Sequence, residues 1–171
     1  MKYKTQEVEE APKDAMGKEL YDKFVELMQL EYDKISTLES AKHYFANNGF
    51  IRYKKFVKEV MKNCKKFKWD LEDYLMINEM EIPDLTVKGF VKFDSPEDAF
   101  QAMREAEDDV FKKLMELASI AFEEKDACTF AFLLPLIKQG KRHIFCIAAN
   151  SVANGEDPND LLKCEQPSME N

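Results

Sequence analysis

The sequence has few of the residues that interrupt regular structure. Only 5 glycines and 6 prolines occur among 171 residues, while 45% of the residues are hydrophobic and 34% are charged. So little glycine and proline argues against a turn-rich all-β protein, and the apolar fraction argues against a disordered chain. The length suits one domain with its own core. We therefore expect a single helical globular domain.

Long apolar runs are also missing. The longest mostly apolar stretch, residues 127–137, is far shorter than the ~18 residues that a membrane span needs. The N-terminal segment contains no apolar signal region. We therefore expect a cytoplasmic protein with no membrane partner. Four cysteines are scattered without a C-x-x-C pair, so reduced thiols are expected rather than a disulfide framework or a zinc site: Cys64, Cys128, Cys146 and Cys164.

Positive charge is not in excess, since the formal net charge is −8. A protein of this charge is not expected to bind duplex nucleic acid, whose phosphates attract a basic surface. The sequence has only two histidines, and it shows neither a glycine-rich phosphate loop nor a Ser-His-Asp pattern. The common signatures of enzymes are therefore absent.

Hydrophobic residues recur at helical spacing in four long segments. These predict helix one from Met16 to about Ala46, helix two from Phe50 to Met80, and helix three from about residue 96 to 125. Helix four follows a cap at Asp126 and ends at residues 154–155. The predicted organisation is a flexible lead-in over 1–15, a bundle over 16–155, and a short C-terminal helix and tail over 156–171.

Connection lengths predict how the helices are arranged. The joints near residues 48 and 126 are tight, so each should join two antiparallel helices. Residues 81–95 alternate apolar and polar positions around Pro83 and Gly89, which is typical of an extended segment. At ~3.3 Å per residue this segment can span roughly 45 Å, and the helices should be about 42 to 46 Å long. The expected fold is an all-α four-helix bundle with one long crossover between helices two and three.

Polar residues interrupt the apolar stripes at one level of this bundle. Glu31 lies on helix one, Glu107 on helix three and His143 on helix four, with Cys64 of helix two at the same level. Carboxylates and an imidazole that project into a bundle are the ligands of iron sites. The alternative is a buried hydrogen-bonded cluster of the same residues that holds no metal.

Three stretches carry a family resemblance: QLEYDKISTLE from residue 29, KFVKEVMKNCKKFKWDLEDYL from residue 55, and the run from SPEDAF at residue 95 to KRHIF at residue 145. Together they resemble the bacterial non-haem ferritins over about residues 20–155. The resemblance implies a ferritin-like bundle, a homo-oligomer that is a dimer or a cage, and iron as the ligand. It matches two family glutamates to Glu31 and Glu107.

The sequence departs from the ferritin pattern on helix two. The family's Glu-x-x-His falls on Cys64-Lys65-Lys66-Phe67, so both the bridging carboxylate and the imidazole are missing. Lys65 stands where haem-binding relatives carry methionine, so no haem is expected. We therefore expect no catalytic residues and, at most, one weakly held iron at Glu31, Glu107 and His143, with soft assistance from Cys64.

The basic residues also depart from the family. In ferritin cages helices two and four face the cavity and carry acidic residues, but here both helices present lysines and arginine: Lys54, Lys55, Lys58, Lys62, Lys65, Lys66, Lys138, Lys141 and Arg142. Two hypotheses follow. The first is a ferritin-like iron-binding and storage protein with reduced or absent ferroxidase activity, which relies on co-assembly with an active ferritin subunit. The second is a non-catalytic scaffold without iron, which binds an anionic guest or has a structural role.

Overall fold

The structure, a computed structural model, describes residues 16–152. It contains four helices: α1 (Lys18–Asn47), α2 (Ile51–Ile77), α3 (Pro96–Glu123) and α4 (Ala127–Val152). Residues 16–152 contain no strand, which confirms the all-α prediction. Among the described residues, none of the four helices has the length and hydropathy of a membrane span. The predicted lead-in over 1–15, the end of helix four and the C-terminal helix over 156–171 lie outside the described residues.

The predicted helix starts have the expected caps. The Ser95 hydroxyl accepts a hydrogen bond of 3.1 Å from the Asp98 backbone N–H, and Pro96 takes the first helical position of α3. Asp126 accepts a bond of 2.9 Å from the Thr129 backbone N–H at the start of α4. Both caps were readable from residue type alone.

The helix ends were harder to predict. After α1, Gly49 has a φ of +79° and the Phe50 N–H bonds to the Phe45 carbonyl at 2.8 Å. The same closure recurs after α2, where Glu79 has a φ of +56° and the Met80 N–H bonds to Leu75 at 2.9 Å. Such left-handed caps usually use glycine. Because Glu79 gives no such signal, the prediction that helix two reaches Met80 was wrong; α2 ends at Ile77.

The crossover lies along α1. Residues further along α1 contact residues further along the crossover. Tyr21 donates a hydrogen bond to the Glu81 carbonyl at 2.9 Å, and Ser36 donates one to the Lys88 carbonyl at 2.7 Å. The crossover therefore runs in the direction of α1, from the end of α2 toward the end of α1. There Phe100 of α3 contacts the ring of Phe45, with ring centroids 5.4 Å apart. Helices α2 and α3 are thus parallel, as the sequence predicted.

The core divides into two apolar clusters along the bundle. One contains Leu20, Phe24, Leu71, Leu114 and Leu133, and the other contains Phe45, Tyr53, Phe56, Phe100 and Ile147. On each helix the polar candidates fall between the residues of the two clusters. The bundle therefore has a polar layer between two apolar halves.

Cysteine chemistry differs in part from the expectation. Cys64 is free and buried, and Cys128 is free and exposed. Cys146, however, is disulfide-bonded, so the prediction of reduced thiols is wrong for this residue. No spacing signal in the sequence marked it.

Candidate metal centre

The polar layer contains side chains from all four helices. Glu31 and Lys34 come from α1, Cys64 from α2, Glu107 from α3 and His143 from α4, and none of them is more than 3% exposed. Buried groups of this kind lose their contacts with water, and they must find partners in one another. The layer is thus closed to bulk solvent.

Lys34 lies at its centre. Its Nζ is 2.8 Å from Glu31 Oε2 and 3.1 Å from Glu107 Oε2. The same ammonium lies 5.6 Å from the ring centroid of Phe67. A cation therefore already sits between the two glutamates that match the family's ligands.

The sequence analysis missed Lys34. A signal existed, because Lys34 follows Glu31 by one helical turn and precedes the buried Leu38 by another. That spacing places Lys34 on the apolar stripe, but a lysine is ordinarily assigned to the solvent side. A glutamate on an apolar stripe should have prompted a search for a countercharge one turn away.

The contacts with Lys34 are ion pairs without good hydrogen-bond geometry. Among the described residues, both oxygens of Glu31 and Oε2 of Glu107 lack a hydrogen-bond partner, although the ammonium is close. His143 Nδ1 lies 3.6 Å from Glu107 Oε1, too far for a good hydrogen bond. The layer is thus an ionic network around Lys34. It differs from the predicted alternative, in which both glutamates bond to His143.

The ionisation of the layer follows from burial and from Lys34. Burial raises the pKa of Glu31 to about 7. The positive charge of Lys34 lowers this pKa, and the negative charge of Glu107 raises it further. Burial also favours a neutral Glu107, but Lys34 and His143 outweigh it and lower the pKa of Glu107. Burial would lower the pKa of Lys34, but Cys64, Glu107 and Glu31 raise it well above its usual range. Below a pH of about 7, the Glu107 carboxylate and the Lys34 ammonium therefore balance each other.

A second grouping within the layer has the donor types of a metal site. One ligand atom each from Cys64, Glu107 and His143 lies within 4.8 Å of the others, and all three residues are buried. Of the predicted ligands Glu31, Glu107 and His143, the structure brings together the last two. Glu31 instead forms an ion pair with Lys34, at 2.8 Å.

A small cavity adjoins this group, and its lining includes the ammonium-bearing Lys34 as well as Cys64, Glu107, Gly140 and His143. A Cβ atom at Gly140 would lie 3.3 Å from Cδ2 of Phe111 and 3.7 Å from Oε1 of Glu107. Glycine at this buried position therefore lets Phe111 and Glu107 pack closely against α4, where a larger side chain would be crowded.

The residues do not fit a centre of two irons. Such a centre needs several oxygen ligands and a bridging carboxylate. On α2, however, Cys64 and Phe67 occupy the positions where the ferritin pattern has glutamate and histidine. The ammonium of Lys34 fills the space between the remaining glutamates. No two-iron chemistry can therefore be assigned to this bundle.

Comparisons with known proteins agree with this architecture. The sequence model of the ferritin-like domain matches residues 21–149. A PmFTN variant soaked in iron superposes with a TM-score of 0.74 and 23% identity, over 78% of this chain and 87% of that one. An open-pore ferritin from the archaeon Archaeoglobus fulgidus superposes with a TM-score of 0.76 and 19% identity, over 84% of this chain and 90% of that one. A search of curated protein sequences finds no significant match.

The fold is that of a ferritin-like four-helix bundle. Because the domain match covers most of the sequence, the chain belongs to the ferritin family, and the resemblance seen in the sequence is confirmed.

Proposed function

We propose that this chain is a ferritin-family subunit that serves iron storage but does not oxidise ferrous iron at the centre of its own bundle. The observation that carries the proposal is the Lys34 ammonium, 2.8 Å from Glu31 and 3.1 Å from Glu107. A doubly charged ion placed about 4 Å from this ammonium would be repelled by roughly 8 kcal/mol at an effective dielectric constant near 20. Iron therefore cannot enter between the two glutamates while Lys34 stays there.

The two residues of α2 that stand at the ferritin ligand positions support the same conclusion. Phe67 has no donor atom, and Cys64 offers one thiol in place of a bridging carboxylate. Without an oxygen bridge, two irons are not held close enough to transfer electrons to one oxygen molecule. Ferroxidase activity is thus reduced or absent, and we assign no catalytic residue.

The outer surfaces of α2 and α4 favour a partner for iron loading. Lys55, Lys58, Lys62 and Lys66 are exposed on α2, and Lys141 is exposed on α4. If these helices line the cavity of a cage, their positive charge repels ferrous iron. Iron would then be oxidised by an active ferritin subunit in a mixed cytoplasmic assembly.

The same basic surfaces favour a second candidate function. A non-catalytic scaffold with these faces inside would hold an anionic guest such as phosphate instead of iron. The two functions differ in whether iron is retained.

Ferrous iron oxidation in air tests the proposal. The purified chain should oxidise iron at the buffer rate, while an active ferritin measured beside it oxidises rapidly. Fast oxidation with a fixed iron stoichiometry would refute the proposal. Size-exclusion chromatography of the chain alone and mixed with the active ferritin tests the oligomer and the co-assembly.

Iron retention separates the two candidates. Mixed assemblies loaded with iron should retain it in proportion to the active subunit. If neither the chain alone nor the mixture retains iron, and phosphate binds instead, the scaffold function is the correct one.

A further inference from the structure

We propose that Cys64, Glu107 and His143 form a site for a single divalent metal ion of the zinc class. This site goes beyond iron storage and does not depend on it. The three residues come from α2, α3 and α4, and their donor atoms lie within 4.8 Å of one another. The absence of cysteine pairs had argued against a zinc site, but that signal concerns ligands close in sequence.

The distances suit a tetrahedral ion with three protein ligands. In such a site the ligand atoms lie about 3.3 to 3.8 Å apart, given zinc bonds of about 2.0 to 2.3 Å. His143 Nδ1 and Glu107 Oε1 are already 3.6 Å apart. A shift of about 1 Å would bring the thiol into range, and the small cavity that these residues line has room for about one water molecule as a fourth ligand.

Glu107 can serve this site without releasing Lys34. Its Oε2 lies 3.1 Å from the ammonium of Lys34, while its Oε1 faces His143 and lies close to Gly140. Oε2 faces Lys34 without a hydrogen-bond partner among the described residues, and Oε1, beside His143, is the oxygen that would bind the metal ion. Lys34 also lines the cavity, so the metal ion would bind Oε1 of Glu107 near the ammonium, and the negative charges of Glu107 and Cys64 must offset its repulsion.

The charges also balance. When the metal binds, the S–H bond of Cys64 is replaced by an S–metal bond and the proton leaves to solvent. The thiolate and the Glu107 carboxylate then carry two negative charges, which match one divalent ion beside a neutral imidazole. Lys34 remains paired with Glu31 at 2.8 Å. When Glu31 is ionised as well, no uncompensated charge is left in the buried layer.

The donor set selects the metal. Thiolate and imidazole favour zinc and similar ions over magnesium and calcium, and such sites bind zinc more tightly than ferrous iron. The site therefore differs from an iron centre in both ligand type and ion number.

Cobalt(II) is a suitable probe, because a tetrahedral cobalt–thiolate site has visible and charge-transfer absorption. The full chain, titrated with cobalt in buffer without thiol reagent, should show these bands at one ion per chain, and zinc should remove them. Cys64→Ser should lose the charge-transfer band. Cys128→Ser, which removes the exposed free thiol, is the matched control and should keep it.

Two further variants keep the proposal open to refutation if Cys64→Ser fails to fold. His143→Gln and Glu107→Gln should each weaken cobalt binding at least about tenfold, since even the loss of a group that only orients a ligand typically costs this much. Zinc should raise the melting temperature of the unmodified chain and of Cys128→Ser only. Absence of the bands in the unmodified chain, or their persistence in a folded Cys64→Ser variant, would overturn the proposal.

Discussion

Lys34 and Glu31 face each other across one turn of α1, with Nζ 2.8 Å from Oε2 and neither side chain more than 2% exposed. The same ammonium lies 3.1 Å from Glu107 on α3, so Lys34 forms one ion pair within α1 and a second ion pair between α1 and α3. A buried ion pair adds little stability relative to apolar residues, but removing one partner is costly. Lys34 therefore sets the charge balance between the two glutamates of the layer.

Replacing Lys34 with methionine should destabilise the protein by about 3–5 kcal/mol at pH 8, because two buried carboxylates lose their countercharge. At pH 5 the loss should be smaller, because those carboxylates can take up protons. Urea unfolding at both pH values and at fixed protein concentration measures the difference. Lys66→Met is the control, since Lys66 is 63% exposed and pairs with Asp70 on the surface. A similar loss in both variants would contradict the role given to Lys34.

Stability should fall as pH rises because of Glu31. Its pKa is raised from 4.5 to about 7 in the folded state, so between these values the folded protein keeps a proton that the unfolded chain releases. The contribution is fully present below pH 4.5 and is lost as pH rises through about 7. The slope is at most about 1.4 kcal/mol per pH unit. The lowered pKa of Glu107 acts in the opposite direction, but only at pH values below its ordinary 4.5.

Glu31→Gln should remove this slope, since an amide does not titrate. Urea unfolding between pH 5 and pH 8, with a chelator present and at fixed protein concentration, compares the variant with the unmodified chain. Glu59→Gln, an exposed position on α2, serves as the control and should keep the slope. If the unmodified chain shows no decrease, or if Glu31→Gln retains it, Glu31 is not the group responsible.

Rebuilding the ligands of α2 tests whether Lys34 alone blocks iron. The double variant Cys64→Glu with Phe67→His restores the family's ligand pair, but it should still oxidise iron slowly because the ammonium remains. Adding Lys34→Leu removes the repulsion, and each 1.36 kcal/mol recovered in the barrier gives a tenfold rate increase. We expect an increase of about tenfold or more, followed as ferric absorbance. Lys66→Leu in the same double variant is the control, and rapid oxidation by the double variant itself would show that Lys34 is no barrier.

The sequence predicted the bundle because helical periodicity and caps are local properties. Ser95 and Asp126 are recognisable caps, and both form the expected bonds. The end of α2 was not recognisable, because Glu79 adopts a left-handed conformation that only the surrounding structure can impose.

The centre was predictable only in part. Burial of Glu31, Glu107 and His143 followed from their positions on the stripes. The central role of Lys34 did not, because it depends on a contact with α3 at 3.1 Å that no spacing within α1 reveals. The grouping of Cys64 with Glu107 and His143 likewise depends on three helices meeting at one level.

The crossover should loosen when Gln29 is replaced with alanine. Gln29 Nε2 donates to the Thr86 carbonyl at 2.8 Å, and its Oε1 accepts from the Thr86 N–H at 3.1 Å, so one side chain satisfies both backbone groups. Thr86 is exposed and water can replace these bonds, so the stability loss should be only about 1 kcal/mol. Local opening is nevertheless easier without them.

Hydrogen exchange at the Thr86 amide measures that opening. The amide should exchange markedly faster in Gln29→Ala than in the unmodified chain, while amides in the middle of α1 keep their protection. Gln101→Ala is the matched control, because the Gln101 side chain bonds to Glu105 within its own helix, at 2.6 Å. The Ser36 contact with the Lys88 carbonyl, at 2.7 Å, remains in both variants and should confine the change to the segment around Thr86. Unchanged exchange at Thr86 would mean that other contacts fix the crossover on α1.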